Sequence, residues 1–279
     1  MRRDVTRVVF ALVAAVATGA CDEPITNPDP TVAPEYISNG TPTGDESYGN
    51  VGALMYDYNG NGRIEGGEQV CTGSLISPTV FLTAAHCVIG WPEAQPQFYV
   101  TFDGSLLPRP SGVIRASGFE YDHRYGHDQA NLYDLAVVFL PSQATRGIAP
   151  LQLPTLGLLD ELQARGGLTD QMFVNVGYGT GSTRTGPPAF PWDGLRKWSL
   201  SEFMGLQQNW LGLLMNANAT GEGGDCYGDS GGPKFFEGNT RLIVATVTTG
   251  DLPCRATTWD QRLDTETSRE FLARFVTLP

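Results

Sequence analysis

Histidine is scarce in this 279-residue chain: His86, His123 and His127 are all it has, and none follows position 127. No two of them form an H-E-x-x-H pair, so a zinc-protease helix has no support. Basic residues are also few, 18 against 30 acids, for a net charge of −12. A surface of that sign repels phosphate backbones, which argues against nucleic acid as a partner. Charged residues of both signs make up only 17% and hydrophobic ones 41%, so the chain has the means to bury a core. Long apolar runs are missing too, with one exception at residues 8–20. At about 1.5 Å per residue that run reaches roughly 20 Å, short of a ~30 Å hydrocarbon core. Preceded by Arg2, Arg3 and Arg7 and ending in small residues, it reads as a secretory signal rather than a membrane span.

An exported chain can oxidise its thiols, and there are five: Cys21, Cys71, Cys87, Cys226 and Cys254. Four can form two bridges. The odd one, Cys21, follows Thr18-Gly19-Ala20 where signal cleavage would fall. This resembles a bacterial lipobox, although Thr18 stands where that pattern prefers an aliphatic residue. The expectation is a lipidated Cys21; an ordinary signal peptide is the alternative. Residues 22–36 hold four prolines and four acids and read as an extended tether or pro-segment. The domain plan is therefore 1–21 signal, 22–36 tether, and 37–279 globular. The product is exported, either secreted or anchored to the cell envelope, with membrane contact only through Cys21.

Glycine (34) and proline (19) are abundant, which suits turn-rich β structure better than a helical bundle. Short runs rich in Val, Phe, Leu and Thr bear this out: Val51–Tyr58, Val70–Thr83, Gln97–Phe102, Leu135–Leu140, Met172–Tyr178 and Arg241–Thr249. Helical periodicity is clear only at Ser268–Val276, with a second short helix expected near Leu158–Ala164. The pattern is all-β with a C-terminal helix.

Three words carry chemistry: Thr83-Ala84-Ala85-His86-Cys87, Asp134-Leu135-Ala136, and Gly228-Asp229-Ser230-Gly231-Gly232-Pro233. A serine hydroxyl is a weak nucleophile until a positioned base takes its proton, and that base works best when an acid fixes its tautomer. Glycines beside the serine let backbone N–H groups converge on a developing oxyanion. Gly228–Gly232 also satisfies the GxSxG elbow of α/β-hydrolases, but those need a histidine after the serine and this chain has none there.

Together these words resemble the trypsin/chymotrypsin-like serine proteases, over nearly the whole chain from Ile37 onward. The resemblance implies two six-stranded antiparallel β-barrels, the first at about 37–150 and the second at about 165–265, then a C-terminal helix at about 267–276. It implies a serine endopeptidase acting on protein or peptide substrates. Ser230 would be nucleophile, His86 general base and acid, Asp134 the orienting acid, and the N–H groups of Gly228 and Ser230 the oxyanion hole. Bridges Cys71–Cys87 and Cys226–Cys254 follow by similarity. So does activation by a cut before Ile37, whose new amine would pair with Asp229. Ile37-Ser38-Asn39-Gly40 departs from the usual I-V-G-G, and Tyr36 stands where a basic residue is common, which points to a separate activating protease. The alternative function is a catalytically inactive binding protein on the same scaffold.

For the substrate pocket the resemblance implies Gly224 at the base, with Asp225 beside it and Thr248 and Gly250 on the wall. Asp225 is expected either to favour Arg or Lys in the substrate or to bond locally and leave an apolar pocket. No cofactor is required. Asp57-x-Asn59-x-Asn61-Gly62-x-Ile64-x3-Glu68 matches the donor spacing of a calcium loop; an Asn-Gly hairpin tip is the other reading.

Overall fold

The computed structural model describes residues 37–44, 47–91, 97–126, 132–183 and 186–279. The signal, Cys21, the tether with Tyr36, and His127 lie outside them. β1 (Thr41–Pro42) is followed by β2 (Val51–Tyr56), β3 (Gln69–Ser77), β4 (Val80–Thr83), β5 (Phe98–Thr101), β6 (Val113–Arg115), β7 (Gly118–Tyr121) and β8 (Ala136–Phe139). After α1 (Leu158–Ala164) come β9 (Met172–Gly177), β10 (Lys197–Leu206), β11 (Trp210–Leu214), β12 (Pro233–Phe236), β13 (Asn239–Gly250) and β14 (Thr257–Arg262), and α2 (Glu266–Leu272) closes the fold.

β9 to β14 form a closed antiparallel ring in the order β9-β10-β11-β14-β13-β12, with β12 returning to pair β9 and with β1 added beside β10. The other sheet runs β6-β5-β2-β3-β4-β8-β7. Its ends are two halves of one bent strand. At the bend the Ala116 N–H donates to Phe98 and the next, Ser117, donates to Phe139 on the opposite side. The expected six-strand ring is thereby completed through the chain itself, as a curled sheet rather than an unbroken ladder.

Alternation explains which faces are inside. Leu54, Leu75, Phe81, Phe98, Val100 and Val138 fill the first barrel, and Leu159, Phe173, Leu211, Leu213 and Val244 the second. A third cluster lies between them, where Val51, Leu82 and Val137 meet Val174, Val176, Phe235 and Phe271 of α2. α2 starts at a Thr265 cap whose hydroxyl accepts from the Ser268 N–H. Arg196, fully buried, ties the barrels from the head of β10. Its guanidinium donates to the carbonyls of Val51 and Phe102 in the first barrel and to those of Gly44 and Ser47. Disulfides join Cys71 to Cys87 and Cys226 to Cys254. No helix among the described residues is long and apolar enough to cross a membrane.

Candidate active site

β4 ends at Thr83, and the chain passes through Ala84 into a single tight turn, Ala85–Cys87, that carries His86. The Cys71–Cys87 bridge ties this turn back to β3. Asp134 precedes β8, which pairs with β4, so histidine and acid emerge from neighbouring strands. Asp134 is fully buried. One carboxylate oxygen accepts the His86 backbone N–H at 2.9 Å and the other lies 2.7 Å from His86 Nδ1. That contact fixes Nδ1 as the protonated nitrogen and leaves Nε2 as the base. The imidazole is about one-sixth exposed, enough for a substrate to reach it.

Ser230 comes from the second barrel, in the turn before β12. Its carbonyl accepts from Thr72 N–H of β3. The next residue, Gly231, is pressed against the histidine side: a Cβ there would lie 2.3 Å from Thr83 Oγ1 and 2.6 Å from the Ala84 nitrogen. Only glycine permits that approach. Gly228 has a φ of +99°, also a glycine conformation. Its carbonyl is held by Gln69 Nε2 and Thr72 Oγ1, at 2.8 and 2.9 Å. That fixes the peptide's orientation. The N–H groups of Gly228 and Ser230 donate to no group among the described residues. Ser230 Oγ and His86 are not hydrogen-bonded to each other either; such contacts in unliganded sites are commonly long and tighten with substrate.

Asp229 points the other way, into the protein. Its carboxylate accepts from the N–H groups of Gly179 and Cys226, at 2.8 and 2.9 Å. No cation pairs with it among the described residues. Burial, with Asp225 nearby, pushes its carboxyl up to about 7. Ile37 is a fully buried residue of the intact chain and makes no ion pair with Asp229. Its neighbours are nevertheless seated on the second barrel. Ser38 bridges to Gly224 and donates to the Cys254 carbonyl, and Asn39 reaches the Gly221 carbonyl.

A cleft of about 110 Å³ opens beside Ser230, with Asp225, Thr248, Thr249, Gly250 and Thr258 on its walls. Gly224 does not line it. Gly224 sits behind, where its Cα abuts Met215, whose side chain packs with Cys226 and Cys254. Asp225 lines the cleft but bonds locally, as the second expectation had it, and offers no free charge. One of its oxygens accepts from Lys234 Nζ in the barrel interior, and the other is buried without a partner among the described residues.

Sequence reasoning missed several residues that hold the site. Gln261 of β14 accepts the Asp134 N–H at 2.8 Å and donates to the Leu132 carbonyl and Ser268 Oγ. Gln69, Lys234 and Asp260 went unnoticed too, since nothing local in sequence marks a partner that far along the chain.

Two places gather metal-type ligands. Cys71, His86 and Cys87 cluster, but the cysteines are spent in a disulfide. In the loop 57–68, Asp57 accepts from the Asn61 and Gly62 N–H groups, Asn61 from Arg63, and Glu68 from Glu65 N–H and Asn59 Nδ2. Those donors are all oxygen, the kind calcium takes.

The family model described as Trypsin matches residues 44–259. Serine protease 1 of Drosophila melanogaster is 25% identical over 224 residues, covering 75% of this chain and 74% of its own. Glucanase inhibitor protein 2 of Phytophthora sojae is 28% identical over 245 residues, 84% of this chain and 73% of its own. Among solved structures, human heparin binding protein superposes with a TM-score of 0.61 at 17% identity, over 86% of this chain and 96% of that one. HL collagenase does so at 0.61 and 17%, over 85% and 97%. At such identities the structural matches speak for the fold.

Proposed function

The chain belongs to the trypsin family, and on that premise we propose that it is a serine endopeptidase working through an acyl-enzyme on Ser230. The observation that carries the reading is the buried Asp134 carboxylate 2.7 Å from His86 Nδ1, on a segment packed against a serine turn whose Gly228 and Ser230 N–H groups are uncommitted among the described residues. His86 Nε2 takes the Ser230 proton as Oγ attacks the peptide carbonyl. Asp134 stabilises the imidazolium that forms. The tetrahedral oxygen is held by the N–H groups of Gly228 and Ser230, and His86 then protonates the leaving amine. Water repeats the sequence to release the acid.

One relative is named as an inhibitor and one structural neighbour as a heparin binding protein, so a non-catalytic binding protein is the rival. All three triad residues are present, which favours the enzyme. Fluorophosphonate labelling with intact mass and N-terminal mapping separates the two. A single adduct, absent from Ser230→Ala, on a chain starting at Ile37 supports the protease. No adduct on a folded Ile37-started chain supports the binder.

The proposal extends to processing. A second protease cuts at Tyr36–Ile37, and the new amine meets Asp229. The same cut frees the domain from a lipid on Cys21. Active protein that still carries Cys21 would exclude this order of events. A calcium ion in the 57–68 loop would be structural only.

A further inference from the structure

The cleft beside Ser230 is floored by charge that the chain balances internally. Asp225 is 5% exposed, with one oxygen unpartnered. Its other oxygen takes a hydrogen bond from Lys234 Nζ, which is fully buried. Lys234 also donates to Asn175 Oδ1 at 2.6 Å and lies 3.7 Å from Asp260. Asp260 in turn accepts from Thr258 Oγ1 at 3.0 Å. Burial pushes the Asp260 carboxyl above the usual carboxylate range, and the carboxylate that Lys234 Nζ bonds directly is that of Asp225. The other acid on the wall, Asp251, already accepts from the N–H groups of Arg255, Ala256 and Thr257.

We propose that Lys234 is a specificity-determining residue: a built-in counter-ion that occupies the charge of Asp225, so that the cleft takes a neutral P1 side chain and rejects lysine and arginine. The proposal rests on the protease reading for the word P1, but its charge argument does not depend on catalysis.

The reasoning is electrostatic and geometric. A substrate cation in the cleft would find the charge of Asp225 already taken by the Lys234 ammonium and the second carboxylate oxygen buried. It would leave water without gaining an unpaired anion. A neutral side chain loses far less on leaving water and needs no counter-ion.

The test is a P1-varied peptide library with the Ile37-started protein, together with titration of benzamidine, a small cation that reports pocket charge without turnover. The expected profile is led by uncharged P1 residues, with at least tenfold lower kcat/KM for Lys and Arg and no benzamidine binding at millimolar concentration. Lys234→Met is expected to raise the Lys/Arg-to-neutral ratio at least tenfold and to gain benzamidine binding. Asp225→Asn combined with Lys234→Met removes both charges and is expected to keep the neutral profile. A wild-type profile led by Lys or Arg overturns the proposal, as does benzamidine binding by the wild type. An unchanged ratio in a folded Lys234→Met protein does the same. If no peptide is cut, the protease reading fails, and benzamidine still decides the charge of the cleft. Should Lys234→Met not fold, the wild-type profile and titration decide it.

Discussion

Asp134 commits both oxygens to one residue, the backbone and ring of His86. Asp134→Asn should therefore preserve the fold while presenting the wrong tautomer to Ser230, with kcat lower by about 10⁴-fold. Stopped assays on the Ile37-started enzyme, alongside an unchanged circular dichroism spectrum, check this. Asp229 makes a different prediction. Its folded carboxyl sits at about 7, above the ordinary 3.8. Between those values the native chain binds more protons than the unfolded one, so stability falls as pH rises from about 4 through 7. Urea titrations of the uncut chain should give a lower midpoint at pH 8 than at pH 5, and Asp229→Asn should flatten the slope. The three residues of the proposed triad were legible in the sequence because each sits in a short local word. Lys234, Asp260 and Gln261 were not, because burial gives them meaning only when distant strands meet.

Strands buried on both faces announced themselves by apolar runs. β2 to β5, β8, β9 and β13 fall where such runs occur, as do both helices. β10, β11, β12 and β14 were not expected. β14 (TTWDQR) carries Asp260, Gln261 and Arg262, all buried, and β12 carries Lys234. Polar side chains paired inside a barrel erase the alternation by which a strand is read. The 57–68 loop belongs to this scale as well. Its buried Asp57 and Glu68 are expected to take calcium, raising the melting temperature in millimolar calcium over chelator, and Glu68→Gln should remove the rise. An identical melting temperature in both buffers would leave the loop a self-bonded hairpin tip.

The whole molecule depends on how two barrels are held together. Arg196 does this with hydrogen bonds to carbonyls in both the first barrel and the segment leading into it. Arg196→Leu strands several of those acceptors without partners. The expected cost is about 3 kcal/mol or more, or a drop on the order of 6–12 °C in melting temperature for a domain of this size. Differential scanning calorimetry measures it, and a change under 2 °C, well below that estimate, would show the acceptors finding other donors.

His86 and Asp134 stand on one barrel and Ser230 on the other, so the proposed chemistry is a property of the seam and of neither half. A chain whose halves have each collapsed but have not yet docked is inert. Such a half-assembled molecule cannot cut its neighbours, and competence arrives only with assembly.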